Sequence, residues 1–158
     1  MGETVLPLVL LAMLGLLLLA AGIEDARQRT ISNRTNLAVA LLAPAWWWTQ
    51  GYALWPGVGV QLMLAAVVFA VFAGMFALGA MGGGDVKLIA ALALWLPITP
   101  LLGLLMVMSL AGGVVTLLMM AERRLHGKTG QLEIPYGVAI AFAGLLSLRE
   151  PIINHLAR

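Results

Sequence analysis

PITP, residues 97–100, stands between two apolar stretches, and its reading decides how many helices the chain forms. Two prolines three positions apart remove two backbone donors and push their predecessors out of α geometry. The tetrapeptide is therefore either a kink within one long helix or a hairpin turn between two. Charge parity separates the readings. With a hairpin, Arg27, Arg29, Arg34, Lys87, Arg123, Arg124 and Lys128 fall on one side, seven of the nine basic residues, leaving Arg149 and Arg158 opposite. With a kink the 123–128 cluster crosses over and the asymmetry mostly vanishes. Lys and Arg gather on the cytoplasmic side of membrane proteins, so the hairpin is preferred. It gives six spans with both termini outside.

On either side of that turn the chain is almost wholly apolar. Its 158 residues are 62% hydrophobic and only 10% charged, with a mean hydropathy of +1.01. Soluble domains run at about 45–50% apolar and about 25% charged residues. The expected class is an all-α, polytopic membrane protein, a single domain over residues 1–158. A span needs about 20 apolar residues, in a range of roughly 17–25. The candidates are residues 5–23, 37–49, 58–80, 86–96, 101–120 and 134–148, several of them short. The first lacks the basic flank of a signal peptide, Glu3 being the only charge before it, and reads as a retained span. All five tryptophans, Trp46, Trp47, Trp48, Trp55 and Trp95, lie near the two loops assigned to the outer face, where an aromatic belt is expected.

Composition also removes whole classes of chemistry. There is no cysteine, so disulfides, thiolate nucleophiles and Cys-based metal sites are excluded. The net charge of +2 rests on few residues that carry topology, and no nucleic-acid partner is expected. His126 and His155 fall on opposite sides of the layout, read as surface residues, and make no joint metal site. No metal or cofactor is expected.

The chain has just two aspartates, Asp25 at the end of the first span and Asp85 at the start of the fourth. Both fall at the cytoplasmic boundary. Charges near hydrocarbon are costly and usually face the bundle interior in a functional role. The plainer account is that Asp85 favours a helix N-terminus through the dipole while Asp25 pairs with Arg27 or Arg29. Against it stand Gly82, Gly83 and Gly84 ahead of Asp85, since Ser or Asn would serve as well in a cap. A phosphate loop needs a longer turn with a GK[ST] ending, which is missing. Bare backbone allows another chain to approach closely, so the loop reads as a carboxylate presented to an extended peptide. Two carboxylates about 3 Å apart share a proton. One can then take a proton from water while the other donates to a carbonyl oxygen.

At these residues the sequence resembles the type IV prepilin peptidases, membrane aspartic proteases with a GxGD motif. It looks most like the short members found with Flp/Tad pilus systems. GGGDVK, residues 82–87, matches the family's GxGDxK. IEDARQRTISNRTN, residues 23–36, matches an aspartate followed by basic residues and Ile-Pro-Asn, with Ser32 in place of the proline. IPYGVAIAFAG, residues 134–144, matches the Pro-Tyr-Gly opening of the last span. The resemblance implies cleavage of a prepilin's or pseudopilin's short basic leader after a glycine, at the cytoplasmic face of the bacterial inner membrane. Asp25 and Asp85 would be the catalytic pair, with no cofactor and with pilus assembly or secretion machinery as partner. The cysteine-rich cytoplasmic domain of longer members is missing, so methylation of the mature pilin is not expected.

Other residues carry weaker expectations. Lys87 is either a tuner of the carboxylates, an attractor of the substrate's C-terminal side, or a snorkelling anchor. Glu24, Glu122 and Glu133 are the candidates for recognising a basic leader. Pro135 and Tyr136 are expected to shape the loop over the site. Gly112 and Gly113 are expected to allow close helix approach, and the methionines to pack or face lipid. The rival function is a small proton-coupled transporter with the aspartates as relay, which would place acids near mid-membrane.

Overall fold

The apolar runs fold as helices because a backbone out of reach of water must satisfy its own polar groups. The computed structural model describes residues 2–126 and 135–156. Their elements are α1 (Gly2–Gln28), α2 (Asn33–Thr49), a π-helical turn (Leu54–Val58), α3 (Gly59–Ala77), α4 (Gly83–Ala93), α5 (Ile98–His126), α6 (Tyr136–Ser147) and α7 (Arg149–Leu156). Lys128, Glu133, Ile134 and Arg158 lie outside the described residues, as do the side chains of Arg123 and His126. The chain is an all-α, multi-pass membrane protein. Among the described residues, four segments are long and apolar enough to cross a bilayer: Val5–Gln28, Leu54–Ala77, Ile98–Glu122 and Tyr136–His155.

The chain turns at residues 94–97, and Ile98, Thr99 and Pro100 of PITP already form the first turn of the next helix. α4 stops at Ala93 and α5 starts at Ile98. Helix directions follow from the contacts. Gly15 faces Leu145 and Leu148, and Gly22 faces Ala141, so α1 and α6 run antiparallel. Gly112 of α5 faces Tyr136 and Ala139 at the start of α6, and Pro100 shares a cavity with Ser147 and Leu148 at its end, so these helices are antiparallel too. Gly83 meets Phe76 while Gln61 reaches Ala93 and Leu96, so α3 runs against α4. The C-terminal ends of α1 and α5 therefore share one end of the bundle with the N-terminal ends of α2, α4 and α6.

α4 is the innermost element, packed on α2, α3 and α6, with seven of its eleven residues buried. Leu14, Leu18, Leu88, Ile89, Leu92 and Ile140 are among the large side chains that are fully buried. The outer surface is apolar as well: Leu16 is 67% exposed, Leu41 66% and Leu117 68%. Water-soluble monomers rarely carry such patches, and lipid is the matching solvent.

Several expectations change. Trp46, Trp47 and Trp95 are buried, leaving only Trp48 and Trp55 exposed. The first three are core residues, with the Trp47 and Trp95 indoles donating to Leu94 and Val39 carbonyls at 2.7 and 2.9 Å. His155 is half-buried and packs against Trp46, 5.9 Å between rings. A methyl at Gly113 would meet open space, so Gly112 alone accommodates a neighbour, the Tyr136 ring. Met81 and Met108 are buried in the core, whereas Met63, Met75, Met106 and Met120 face outward.

Candidate functional site: two buried aspartates at one end of the bundle

Asp25 sits in the penultimate turn of α1, and its position depends on how that helix ends. Arg29, at φ 56°, takes the left-handed conformation that commonly terminates helices. The chain then doubles back through Ile31, and Ser32 caps α2 by accepting from the Thr35 amide at 3.1 Å. Glu24 locks the turn: its carboxylate accepts from the Ser32 amide at 2.8 Å and the Thr35 hydroxyl at 2.9 Å. A proline at position 32 would have no amide to offer. Ser32 supplies both a cap and a donor to Glu24, which gives the departure from Ile-Pro-Asn a structural reason.

The turn brings Asp25 against the start of α6. Asp25 is only 3% exposed, and its Oδ2 accepts from the Val138 amide at 3.1 Å. A Cβ on Gly137 would stand 2.8 Å from both Cβ and Cγ of Asp25 and 2.8 Å from Cδ1 of Ile31. Gly137 is thus the gap into which the aspartate fits. The expected pairing of Asp25 with Arg27 or Arg29 is not formed among the described residues; the Val138 amide is what holds the carboxylate.

Asp85 enters from α4, as the third residue of that helix. It is 7% exposed, and its Oδ2 accepts from the Gly82 amide at 3.3 Å, the reach-back of an acidic residue in a capping box. The expected capping role is therefore present, together with burial. A Cβ at Gly82 would lie 2.9 Å from that same Oδ2. At Gly84 the close approach is made by the chain's own turn, since a Cβ there would lie 3.0 Å from both N and O of Ile31. Asn36 of α2 completes the clamp, donating from Nδ2 to the Gly84 carbonyl at 3.0 Å. Ile31 thus touches the glycine beside Asp85 and the one beside Asp25. The two carboxylates are close enough for the charge of Asp25 to act on Asp85.

The remaining expected residues are placed as follows. Lys87 is exposed and donates to Asn33 Oδ1 at 2.8 Å, tying α4 to α2. Gly83 lies against Phe76. Pro135 is buried and stands at the N-cap of α6, next to Tyr136, whose ring lies on Gly112. Glu24 is occupied by Ser32 and Thr35. Glu122 lies in the last turns of α5. Among the described residues, no three His, Cys, Asp or Glu side chains converge as a metal site. Gly137, Val138, Ile31 and Asn36 were not singled out from sequence. Gly137 and Ile31 had local signals, as the glycine of Pro-Tyr-Gly and the isoleucine of the Ile-Pro-Asn match.

Fold and site together define a multi-pass helical membrane protein that gathers two buried carboxylates at one end of its bundle. Residues 11–117, more than half of the chain, match the type IV leader peptidase family, and the chain belongs to it. It is thus a membrane peptidase of prepilin-type substrates working in a lipid environment. The match takes in both aspartates; α6, which holds Asp25 in place, lies beyond it. No curated protein matches the chain, and no solved structure does.

Proposed function

We propose that the chain is a membrane aspartic endopeptidase. It removes the short basic leader of Flp-type prepilins or pseudopilins after a glycine, at the cytoplasmic face of the bacterial inner membrane. Asp25 and Asp85 are the catalytic pair. One observation carries this reading: the only two aspartates in the sequence, sixty positions apart, are both buried, and Ile31 packs against both the glycine beside Asp85 and the glycine against Asp25.

The chemistry follows from their closeness. Two neighbouring carboxylates repel when both are ionised, so the pair holds one proton. The ionised member takes a proton from water as the water oxygen attacks the scissile carbonyl carbon. The protonated member donates to the carbonyl oxygen. Collapse of the tetrahedral intermediate breaks the C–N bond, and the amine leaves with a proton returned from the pair. The chain crosses the bilayer six times with both termini outside, and the mature pilin passes to assembly or secretion machinery. A proton relay through mid-membrane fits less well, because Asp25 and Asp85 lie near helix ends.

Mass spectrometry of a co-expressed prepilin tests the proposal. The wild-type chain removes the leader; Asp25→Asn and Asp85→Asn each abolish removal while the protein remains inserted and folded. Full processing by either single variant rules the mechanism out.

A further inference from the structure

The end of the bundle away from the aspartates encloses a cavity of about 240 Å³. The last turn of α2, the turn after α4 and the start of α5 meet α1 and α7 around it. Its back is apolar, with Leu11, Leu14, Leu96 and Leu148 all buried. Its mouth is polar, because Glu150 and Asn154 are exposed and Gln50, Tyr52 and His155 half-buried. Drug-sized ligands occupy pockets of about 300–1,000 Å³. This one has room for roughly eight waters at about 30 Å³ each, the size of a small headgroup.

Two unpaired groups decide what fits there. The Trp47 and Trp95 indoles donate to carbonyls. The indole N–H of Trp46, a residue only 6% exposed, has no hydrogen-bond partner among the described residues. Nor is that nitrogen sealed in, since the one enclosed side-chain atom without a partner among the described residues is Asn36 Oδ1. The N–H is therefore open to the cavity that Trp46 lines. Glu150 is the second group: it makes no ion pair among the described residues, and no lysine or arginine lines the cavity. His155 adds an acceptor. Its Nδ1 lies 2.8 Å from the Pro151 carbonyl, which can only accept, so Nδ1 carries the proton and the neutral ring leaves Nε2 as an acceptor. An anion would meet a carboxylate with no cation to offset it. A bare hydrocarbon would leave the Trp46 N–H without an acceptor, which is unfavourable. We propose that the cavity binds an ammonium-bearing headgroup, its cation at Glu150 and a neighbouring oxygen at the Trp46 N–H. An ethanolammonium ester carries both groups. Where it belongs to a lipid, the leucines at the back take the adjoining chain.

The probes are dihexanoyl phosphatidylethanolamine, dihexanoyl phosphatidylglycerol and glycerophosphoethanolamine, titrated against the full chain in dodecyl maltoside. Binding is read by native mass spectrometry and by tryptophan fluorescence. The wild type binds an ethanolamine-bearing probe and not the glycerol lipid. Glu150→Gln, which keeps the shape and loses the charge, weakens that binding about tenfold; Trp46→Phe, which keeps a ring and loses the N–H, weakens it about threefold. Tighter binding of the ethanolamine lipid than of glycerophosphoethanolamine makes the lipid the ligand, and equal or tighter binding of the free head makes a soluble ester the ligand. Either result upholds the ammonium site. Equal binding of the two lipids, or binding of none of the three probes, overturns the proposal, and this comparison needs no variant to fold. Unaltered affinity in Glu150→Gln, shown to be folded by circular dichroism, overturns it as well.

Discussion

Gly137 decides where Asp25 can be. A methyl group there would occupy space already taken by the aspartate's Cβ and Cγ and by Ile31. Gly137→Ala must therefore displace the carboxylate from the Val138 amide, and overpacking of this kind costs about 1–3 kcal/mol. We expect kcat/KM for leader removal to fall at least tenfold while the protein still inserts and purifies as a folded species. Wild-type kcat/KM would show that the close fit is dispensable. The aspartates themselves were legible in sequence, because a rare charge in an apolar chain stands out. Gly137 was not, although its neighbours Pro135 and Tyr136 were. A glycine's purpose depends on what is packed opposite, and here that is a residue of α1 far away in sequence.

Among the helices, α4 poses the hardest physical problem. Its 11 residues extend about 16 Å at 1.5 Å per residue, roughly half of a hydrocarbon core of about 30 Å. Its last carbonyls are thus exposed to an apolar interior unless protein supplies donors. Gln61 of α3 does so, donating to Ala93 and Leu96 at 3.0 and 2.6 Å, and the Trp47 indole serves Leu94. Gln61→Leu leaves two carbonyls without that donor, each costing about 1–3 kcal/mol. A lowered Tm is expected, read by circular dichroism in detergent; an unchanged Tm would mean that other donors take over. The break at PITP was visible from its prolines. The residues that make the break tolerable were not, because Gln61 and Trp47 lie on other helices.

For the molecule as a whole, charge asymmetry and helix direction point the same way. Arg27, Arg34, Lys87 and Arg124 lie toward the ends of helices on the aspartate side, with Arg149 at the opposite end. The proposed topology has the aspartates in the cytoplasmic half, as the positive-inside rule expects. The chain's lack of cysteine makes this easy to check with single-cysteine variants at exposed sites. Thr30 is exposed in the turn after Asp25 and Ala53 before the π-helical turn. A membrane-impermeant maleimide should label Ala53→Cys on intact cells and Thr30→Cys only after permeabilisation. The reverse pattern inverts the topology and with it the side of cleavage.

What the sequence determined by itself was where apolar helices form and where they break. Apolar runs and prolines set the helices and the break that ends at Pro97, with Asp25 and Asp85 at helix ends. Only the tertiary structure decided how those two side chains are held. Gly137 and Gly84 close around Ile31, Val138 and Gly82 lend amides, and Asn36 clamps the loop with one half of its amide while the other half stays unpaired. Partition into lipid is a property of short segments and can be read locally. Close approach and hydrogen-bond partnership are properties of pairs distant in the chain, fixed only when the helices pack.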